Sequence, residues 1–412
     1  MARKHYAGGS VSRYLLLGSA VFLTIFGMVM IYSASSISAY VKEGSAAHFF
    51  VRQLAFVAIG TVLAFVISRF DYRRFQGPLG LQAWWVSVAL LVLTYGYGIV
   101  RGGARRWIPL GFIQLQPSEL TKIACVLVAA ALAVEWQRGR IDTKQYMKKL
   151  GLFVGIPAVL IVAQPDLGTA ILMAVGVGIV LFLGGIELRW VGAAGAAIVA
   201  FGVFAVLIAP YRVERVVTAL NPWNDAQGKG YQAVQALLAF GTGGIQGVGL
   251  GLSRQKFFYL PEAHTDFIFA IIGEEAGLIG TLAIVVAFGI FLYAGMRIAT
   301  GARDPFGRLV AGALAGMIAF QATLNMAAVT GVFPVTGKPL PFISYGGSSM
   351  LVTLVCVGLI LSVSEFGALA PRAVRAKPKS EERVRANPDE RRRNGGPRVP
   401  RSDSRRAVRR RA

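Results

Sequence analysis

Residues 259–294 read YLPEAHTDFIFAIIGEEAGLIGTLAIVVAFGIFLYA, a short polar approach followed by a long apolar stretch. The part from residue 267 to residue 294 is long enough to cross a bilayer as an α-helix, which needs about 20 apolar residues. Two adjacent acids, Glu274 and Glu275, lie inside it. Acidic side chains at this depth are expensive, so each must pair, become protonated or face a wet cavity.

The rest of the chain is equally apolar. Of its 412 residues, 55% are hydrophobic and 15% are charged, whereas soluble domains carry about 25% charged residues. Stretches that can cross a bilayer recur at 14–34, 50–68, 83–100, 118–135, 150–163, 168–184, 190–209, 267–294, 309–328 and 347–364. We therefore predict an all-α polytopic membrane protein with about ten transmembrane helices.

The distribution of lysine and arginine predicts the orientation of these spans. With a cytoplasmic N-terminus, 31 of the 43 basic residues fall on the cytoplasmic side and 10 on the opposite side, as the positive-inside rule expects. An even number of spans places both termini in the cytoplasm. The connection 210–265, between the seventh and eighth spans, is then a large extracellular loop, and loops of that length are usually functional.

The chain divides near residue 370. Residues 1–370 hold every apolar stretch, whereas residues 371–412 carry 16 basic and 5 acidic residues. We predict that this tail is disordered and cytoplasmic. Its charge suits anionic membrane lipids or an acidic protein partner. Nucleic-acid binding is not expected, because the tail lacks the aromatic residues of a stacking platform.

The cysteines and histidines argue against two kinds of site. Cys125 and Cys356 lie in separate apolar stretches, where a thiol behaves as a small hydrophobe, so no disulfide is expected. His5, His48 and His264 are scattered without the spacing of metal ligands, so a zinc site is not expected either.

Asp266 is the candidate for chemistry, and it has two interpretations. Because it follows Thr265 at the start of the eighth span, it could be a helix cap that accepts hydrogen bonds from backbone N–H groups. A carboxylate at a membrane mouth, close to cations, is also the arrangement expected of a general base acting on a lipid-linked phosphate. The neighbouring polar residues are Arg254, Lys256, Glu262 and His264.

Two further groups of basic residues lie on the extracellular side, against the usual bias. Arg105 and Arg106 belong to VRGGARRWIPLGFIQLQPS, and Arg212 and Arg215 belong to the large loop. They either bind an anionic ligand or are solvated loop charges, and their spacing does not decide between the two.

Other charged residues favour structural roles. Glu119 and Lys122 stand at i and i+3 on the fourth span and can neutralise one another. Asp166, in QPDLGTA, is placed to cap the sixth span. Glu274 and Glu275 lie about 12 Å down the eighth span and are turned off the face of Asp266, so we expect them to pair with another helix.

Two segments next to the spans have patterns of their own. GKGYQAVQALLAFGTGG, starting at Gly228, is amphipathic and is expected to lie in the outer membrane interface. GVFPVTGKPLPFISYGGSS, starting at Gly331, contains Lys338 and Ser344 among helix-breaking prolines and glycines. Irregular backbone at membrane depth persists where protein or a water-filled cavity surrounds it, so this segment is expected to line a cavity.

Taken together, these motifs resemble the SEDS family, polytopic membrane proteins that polymerise bacterial peptidoglycan. The matching pieces are YSASS at 32–36, QPSELTKIA at 116–124, QPDLGTA at 164–170, GYQAVQAL at 230–237, LPEAHTDFIFAIIGEEAGLIG at 260–280 and PVTGKPLPFISYGGSS at 334–349. SRQKFFYLPEAHTDF and the polar tail are more similar to the division branch of the family than to its elongation branch. Lys338 departs from the pattern, since relatives have an apolar residue there.

The resemblance implies a substrate and a mechanism. Lipid II is the expected substrate, and Asp266 matches the essential aspartate of the family. It would deprotonate the 4-hydroxyl of the acceptor N-acetylglucosamine, which attacks the anomeric carbon of the donor as undecaprenyl pyrophosphate leaves. Arg105, Arg106, Arg254 and Lys256 are the cations expected to stabilise the leaving charge. The other substrate-binding candidates are Glu262, His264, Lys338 and Ser344.

The resemblance also implies a location and partners. The location is the bacterial cytoplasmic membrane, at the division septum. The partners are a class B penicillin-binding protein with transpeptidase activity and, through the tail, other division proteins. A divalent cation, Mg²⁺ or Mn²⁺, could share the charge-stabilising role, although no dedicated set of ligands is visible.

Three alternative functions remain open. A lipid II flippase would use the same cavity and cations, but a transporter needs charged groups along its whole path, whereas the polar features here gather toward the outer leaflet. An elongation-type polymerase would differ in its partner. A division scaffold would act through its basic tail.

Overall fold

The computed structural model describes residues 7–101, 103–111 and 113–367, so the predicted disordered tail lies outside the described residues. Within them the chain is mostly α-helical, with one small β-sheet and irregular connections between the helices. The helices are α1 Ala7–Glu43, α2 His48–Arg69, α3 Pro78–Tyr97, α4 Pro117–Gln137, α5 Thr143–Ala163, α6 Leu167–Leu183, α7 Leu188–Leu207, α8 Pro210–Leu220, α9 Tyr231–Gly243, α10 Ile268–Gly301, α11 Pro305–Val329 and α12 Gly347–Phe366.

Every apolar stretch that the sequence predicts to cross the membrane is helical. In the described part of the chain, nine helices are long and apolar enough to span a bilayer, and α6 is a shorter apolar helix. The prediction of a polytopic helical membrane protein is therefore confirmed. The remaining two helices, α8 and α9, lie in the long connection between α7 and α10.

The helices differ in how deeply they are buried in the bundle. In α4, 89% of the most apolar window is buried, against 6% in α7. α4 is rich in alanine and valine, and the small side chains let α3, α5, α6 and α11 pack around it. α7 instead packs against α6 and α8. An ion pair between Arg13 and Glu365 places the beginning of α1 and the end of α12 at the same end of the bundle.

A three-stranded antiparallel sheet, absent from the sequence prediction, lies between α3 and α4. Its strands are β1 Ile99–Arg101, β2 Ala104–Leu110 and β3 Ile113–Leu115, in the order β1-β2-β3. Gly103 immediately precedes β2 and Gly111 immediately follows it. Their φ values are 76° and 65°, a conformation that glycine adopts without strain. The sheet carries Arg105 and Arg106.

α10 is broken within its length. Gly277 has φ 64° and ψ −162°, so the helical hydrogen-bond ladder is interrupted there. Residues 244–249, which we call the strap, fill the break. The N–H groups of Val248 and Gly249 donate to the carbonyls of Glu274 and Glu275, each at 3.0 Å. The first part of α10, residues 268–276, is therefore a separate short helix that follows Asp266 directly.

The strap also satisfies the other side of the break. Leu278 N–H donates to the carbonyl of Gly244 at 2.9 Å, and Ile279 N–H donates to that of Ile245 at 3.2 Å. The strap continues from α9, whose helical structure was predicted. α9 packs against α10, with the rings of Phe240 and Phe269 5.7 Å apart. The prediction that α9 lies in the membrane interface stays a prediction.

Candidate functional site around Asp266

Asp266 lies in a turn that leads into α10, and its side chain does not cap the helix. The N-cap residue of α10 is Phe267, and no side chain there accepts a capping hydrogen bond. Thr265 donates its hydroxyl to Glu262 instead. The helix-cap interpretation of Asp266 is therefore wrong. Among the described residues, nothing donates a hydrogen bond to the Asp266 carboxylate or forms an ion pair with it.

The surroundings of Asp266 raise its pKa to about 6. Burial is the largest cause, because a low-dielectric environment disfavours the charged carboxylate, and the negative charge of Glu262 adds to it. The cations Lys338, Arg215 and Arg106 act in the opposite direction. A carboxyl group with this pKa is ionised at neutral pH and can still accept a proton, as a general base requires.

The irregular segment 330–346 between α11 and α12 lies beside this carboxylate. Gly337 has φ 66°, and a Cβ atom placed on it would lie 3.7 Å from Asp266 Oδ2. The next residue, Lys338, is buried and its side chain lies across Gly168, whose missing side chain makes room for it. The segment is irregular, as predicted, and residues 340–344 are buried, whereas its lining of a cavity stays a prediction.

The Lys338 ammonium group ion-pairs with Asp166. Its Nζ atom lies 2.8 Å from Oδ1 and 3.0 Å from Oδ2, and it also contacts the Thr169 hydroxyl. Asp166 accepts a hydrogen bond from Thr169 N–H at 3.2 Å, so the prediction that it caps α6 is confirmed. Burial raises the pKa of Asp166, but Lys338 and then Arg106 more than offset this and lower it to about 2.

Gln116 and Ser118 complete the surroundings of Asp166. Gln116 Nε2 donates to Oδ2 at 2.9 Å, and the Ser118 hydroxyl donates to the same oxygen at 3.3 Å. Both residues lie at the beginning of α4. The pair Asp166–Lys338 therefore connects α4, α6 and the irregular segment.

α11 contributes two amide side chains, which the sequence analysis missed. Asn325 Nδ2 donates to the carbonyl oxygens of Asp266 at 2.9 Å and Lys338 at 2.8 Å. Gln321, one turn earlier, donates to the carbonyl of Pro339 at 2.9 Å. Two amides at i and i+4 in an otherwise apolar span are a signal that could have identified them, because such groups in a membrane find polar partners.

The predicted pair Glu119–Lys122 is confirmed, with Lys122 Nζ 3.0 Å from Glu119 Oε2 and both side chains buried. Lys122 also donates to Gln321 Oε1 at 3.1 Å. This pair therefore supports the irregular segment through Gln321, from the side of α4.

The basic residues on β2 and α8 lie at the rim of the site. Arg106 Nε donates to the carbonyl of Gln164 at 3.0 Å, next to Asp166. Arg105 is exposed and donates to the carbonyl of Tyr95 at 3.2 Å. Arg215, on α8, contacts the carbonyl of Val335 at 3.5 Å. Of the predicted extracellular cations, Arg106 and Arg215 are close enough to influence the pKa of Asp266.

Lys256 belongs to a second polar cluster, away from the Asp266 carboxylate. Its Nζ atom lies 3.3 Å from Glu275 Oε1, and Ser33 of α1 donates to both oxygens of the same carboxylate. Glu274 accepts hydrogen bonds from the hydroxyl of Ser253 and from Arg254 N–H. The expectation of pairing with another helix is confirmed for Glu275, through Ser33 of α1, and is wrong for Glu274, whose donors lie in the connection between α9 and α10. The structure does not bring the buried Lys256 together with Asp266, and Arg254 is bound through its backbone.

The remaining candidates have local partners. Glu262 is exposed and accepts the Thr265 hydroxyl at 2.8 Å. His264 packs against Phe49, with ring centroids 4.7 Å apart, and burial lowers its pKa. Ser344 is buried and accepts a hydrogen bond from Leu340 N–H at 2.8 Å. In this conformation Ser344 stabilises the irregular segment.

The described residues contain no group of three or more His, Cys, Asp or Glu side chains that could hold a metal ion. The expected divalent cation therefore stays a prediction. Cys125 and Cys356 are both buried and form no disulfide, as expected.

Comparison with known proteins places the chain in a family. Residues 13–368 match the profile FtsW/RodA/SpoVE, described as cell cycle protein. The chain is 44% identical over 367 residues to "Probable peptidoglycan glycosyltransferase FtsW" of Trichlorobacter lovleyi, covering 87% of this chain and 94% of that one. It is 42% identical to "Stage V sporulation protein E" of Bacillus subtilis, covering 85% and 96%.

Solved structures with the same fold agree. One, described as "Structural coordination of polymerization and crosslinking by a peptidoglycan synthase complex", is similar with a TM-score of 0.68 and 30% identity over 85% of this chain and 97% of that one. Rod shape determining protein RodA of Thermus thermophilus has a TM-score of 0.65 and 27% identity over 87% and 98%. The resemblance inferred from the motifs is confirmed, and the chain belongs to the FtsW/RodA/SpoVE family of cell cycle proteins.

Proposed function

We propose that this protein is a peptidoglycan glycosyltransferase that polymerises lipid II into glycan strands on the outer face of the cytoplasmic membrane. The observation that carries the proposal is the Asp266 carboxylate, which is half-buried, has a pKa of about 6 and has no partner among the described residues. The names of the curated relatives support the same activity.

In the proposed reaction Asp266 removes the proton from the 4-hydroxyl of the acceptor N-acetylglucosamine. The oxygen forms a bond to the anomeric carbon of the donor sugar. The bond from that carbon to the pyrophosphate oxygen breaks, and undecaprenyl pyrophosphate leaves with the electron pair. The position of Asp266 at the end of α10 suits this chemistry, because the sugar can reach the carboxylate while the polyprenyl chain stays in the bilayer.

The leaving pyrophosphate needs positive charge. Arg106 and Arg215 are suited to this role, because both act electrostatically on Asp266 and lie at the rim of the site. Arg105 is exposed beside them. Lys338 is held by Asp166, so it adds to the local potential. A bound Mg²⁺ or Mn²⁺ would neutralise the same charge, but the described residues hold no group of three or more acidic, histidine or cysteine side chains that could bind it.

We further propose that the protein acts at the division septum together with a class B penicillin-binding protein. The division names of the curated relatives support the septal location. The similarity to a peptidoglycan synthase complex, described by polymerization and crosslinking, supports a transpeptidase partner. Residues 371–412 are proposed to recruit other division proteins or anionic lipids. Deleting them should leave polymerisation intact and reduce septal localisation.

The test is polymerisation by the purified full chain with its transpeptidase partner, using fluorescent lipid II and a glycan-length gel. Asp266→Ala should abolish polymer while the thermal unfolding temperature stays close to wild type. Glu214→Gln is the matched control, because this loop carboxylate is exposed and pairs with Lys229, and it should polymerise normally. Polymer made by Asp266→Ala would overturn the assignment of the base. Lipid II translocation without polymer, in the wild type, would favour a flippase.

A further inference from the structure

We propose that Asn325 positions the general base. Its amide group donates hydrogen bonds to the backbone carbonyls of Asp266 and Lys338, and so fixes the Asp266 carboxylate just before α10. This inference rests on the proposed function and adds a positioning residue to it. Neither the motifs nor the comparisons assign a role to Asn325.

The geometry of the amide is unambiguous. Asn325 is 3% exposed, and its Nδ2 atom lies 2.9 Å from the Asp266 carbonyl oxygen and 2.8 Å from that of Lys338. Because carbonyl oxygens only accept hydrogen bonds, the group that faces them must be the NH₂ group, and both of its hydrogens are used. Asn325 Oδ1 has no partner among the described residues, so the donors define what this side chain does.

The amide acts where regular backbone pairing is missing. Asp266 belongs to a turn outside α10, and residues 330–346 form neither helix nor strand. The Asp266 side chain has no hydrogen-bond partner among the described residues. The position of its carboxylate therefore depends on how its own backbone is held, and Asn325 holds that backbone at the residue itself.

Lys338, the second residue that Asn325 contacts, is held firmly in place. Its side chain is fixed by the ion pair with Asp166 and by Thr169. The carbonyl that Asn325 contacts therefore belongs to a residue whose side chain is also bound. Gly337, next to it, faces the carboxylate, since a Cβ atom placed there would lie 3.7 Å from Asp266 Oδ2. Asn325 thus connects the base to a fixed part of the protein, and positioning of this kind is worth large factors in rate.

Loss of the two Asn325 hydrogen bonds should lower the pKa of Asp266, which general destabilisation of the protein would not do. The charged groups that act on Asp266 are Glu262 in its own turn, Lys338 in the irregular segment, Arg215 on α8 and Arg106 on β2, whereas α11 contributes the uncharged Asn325. Burial is the largest cause of the raised pKa. If the turn relaxes toward water, burial decreases, and the pKa of Asp266 falls toward its ordinary value.

The test uses the full chain with its transpeptidase partner and measures kcat, KM for lipid II and the pH–rate profile for wild type, Asn325→Ala and Asn325→Leu. Asn325→Leu keeps the approximate size and shape of the side chain, removes the donors and adds no charge near Asp266. Both variants should lower kcat by about tenfold or more, change KM by about twofold at most, and move the acid limb of the profile from about pH 6 to lower pH.

Gln321→Ala is the matched control, since it removes an amide on the same helix that holds Pro339 but does not contact Asp266. It should keep the acid limb of wild type. An acid limb and kcat unchanged in both Asn325 variants would overturn the inference, as would an equal shift of the limb in Gln321→Ala. Wild-type protein that makes no polymer would instead contradict the proposed function, so the two failures are distinguishable.

Discussion

Replacing Lys338 with methionine tests whether the ion pair with Asp166 stabilises the site. Methionine keeps the length of the side chain that lies across Gly168 and removes the charge. Asp166 would stay buried, with Gln116, Ser118 and Thr169 as its remaining donors. We expect the folded protein to be less stable, because a buried carboxylate that loses its cation keeps the cost of desolvation.

The size of the effect follows from the pKa of Asp166. In the folded protein it lies at about 2, against 3.8 for an ordinary aspartate. A carboxyl group with a lowered pKa contributes stability that is fully present above its unfolded pKa and is lost as the pH falls through the folded pKa. At neutral pH the contribution is therefore complete, and one pKa unit corresponds to 1.36 kcal/mol. This net shift already includes the opposing effect of burial, so the expected loss on removing Lys338 is about 2 to 3 kcal/mol or more, approaching the usual cost of breaking a buried pair.

Thermal unfolding in detergent, followed by tryptophan fluorescence, measures this loss. A change of this size corresponds to a fall of roughly 3 °C for a chain of this length. The double variant Asp166→Asn, Lys338→Met removes both charges, and it should be more stable than Lys338→Met alone. A double-mutant cycle with the two single variants measures the coupling energy between the two residues. The reasoning would be refuted if Lys338→Met unfolded at the wild-type temperature and the cycle showed no coupling between the two residues.

Three further outcomes are expected. The pH–rate profile of polymerisation should have an acid limb near pH 6, and Glu262→Gln should move it to lower pH, because Glu262 is a negative charge that raises the pKa of Asp266; an unchanged limb would contradict this. Gly277→Ala should prevent stable folding, since its Cβ would lie 2.4 Å from the nitrogen of Gly247, whereas Gly289→Ala on the same helix has open space and should unfold like wild type. Cys125 and Cys356 are buried and should resist maleimide labelling until the protein is unfolded; rapid labelling of the folded protein would show the packing to be wrong.

The spans could be predicted from the sequence because a bilayer imposes a simple rule. Each crossing needs a run of apolar residues of fixed length, and every such run found in the sequence is helical in the structure. Local pairs were predictable for a similar reason: Glu119 and Lys122 are one helical turn apart, and Asp166 immediately precedes α6. In each case the partners are close in sequence, so periodicity and capping preferences are sufficient.

The contacts that assemble the site are different in kind. Lys338 and Asp166 are separated by 172 residues and Asn325 and Asp266 by 59, and no local preference specifies such pairings. Lys256 was predicted to lie in the site with Asp266, and the structure places it elsewhere. It is close to Asp266 in sequence, but it lies in the segment that follows the strap, and its ammonium group contacts Glu275 and Ser33 near the break at Gly277. Proximity in sequence across a break in a helix is therefore a poor guide to which charges share a site.

The two polar clusters, one at Glu274 and Glu275 and the other at Asp266, lie at opposite ends of the first part of α10. At the break, Glu275 pairs with Lys256 and Glu274 accepts a hydrogen bond from Arg254 N–H, so this end of the segment 268–276 is held by groups that are already paired. At the other end Asp266 lacks a partner among the described residues, and Asn325 secures its backbone. A base must keep its lone pairs available for a substrate proton, so its position has to be imposed through the backbone. The acids Glu274 and Glu275, which have partners, and Asp266, which has none among the described residues, thus follow one rule: a carboxylate in or next to the first part of α10 is either bound by the protein or reserved for the reaction.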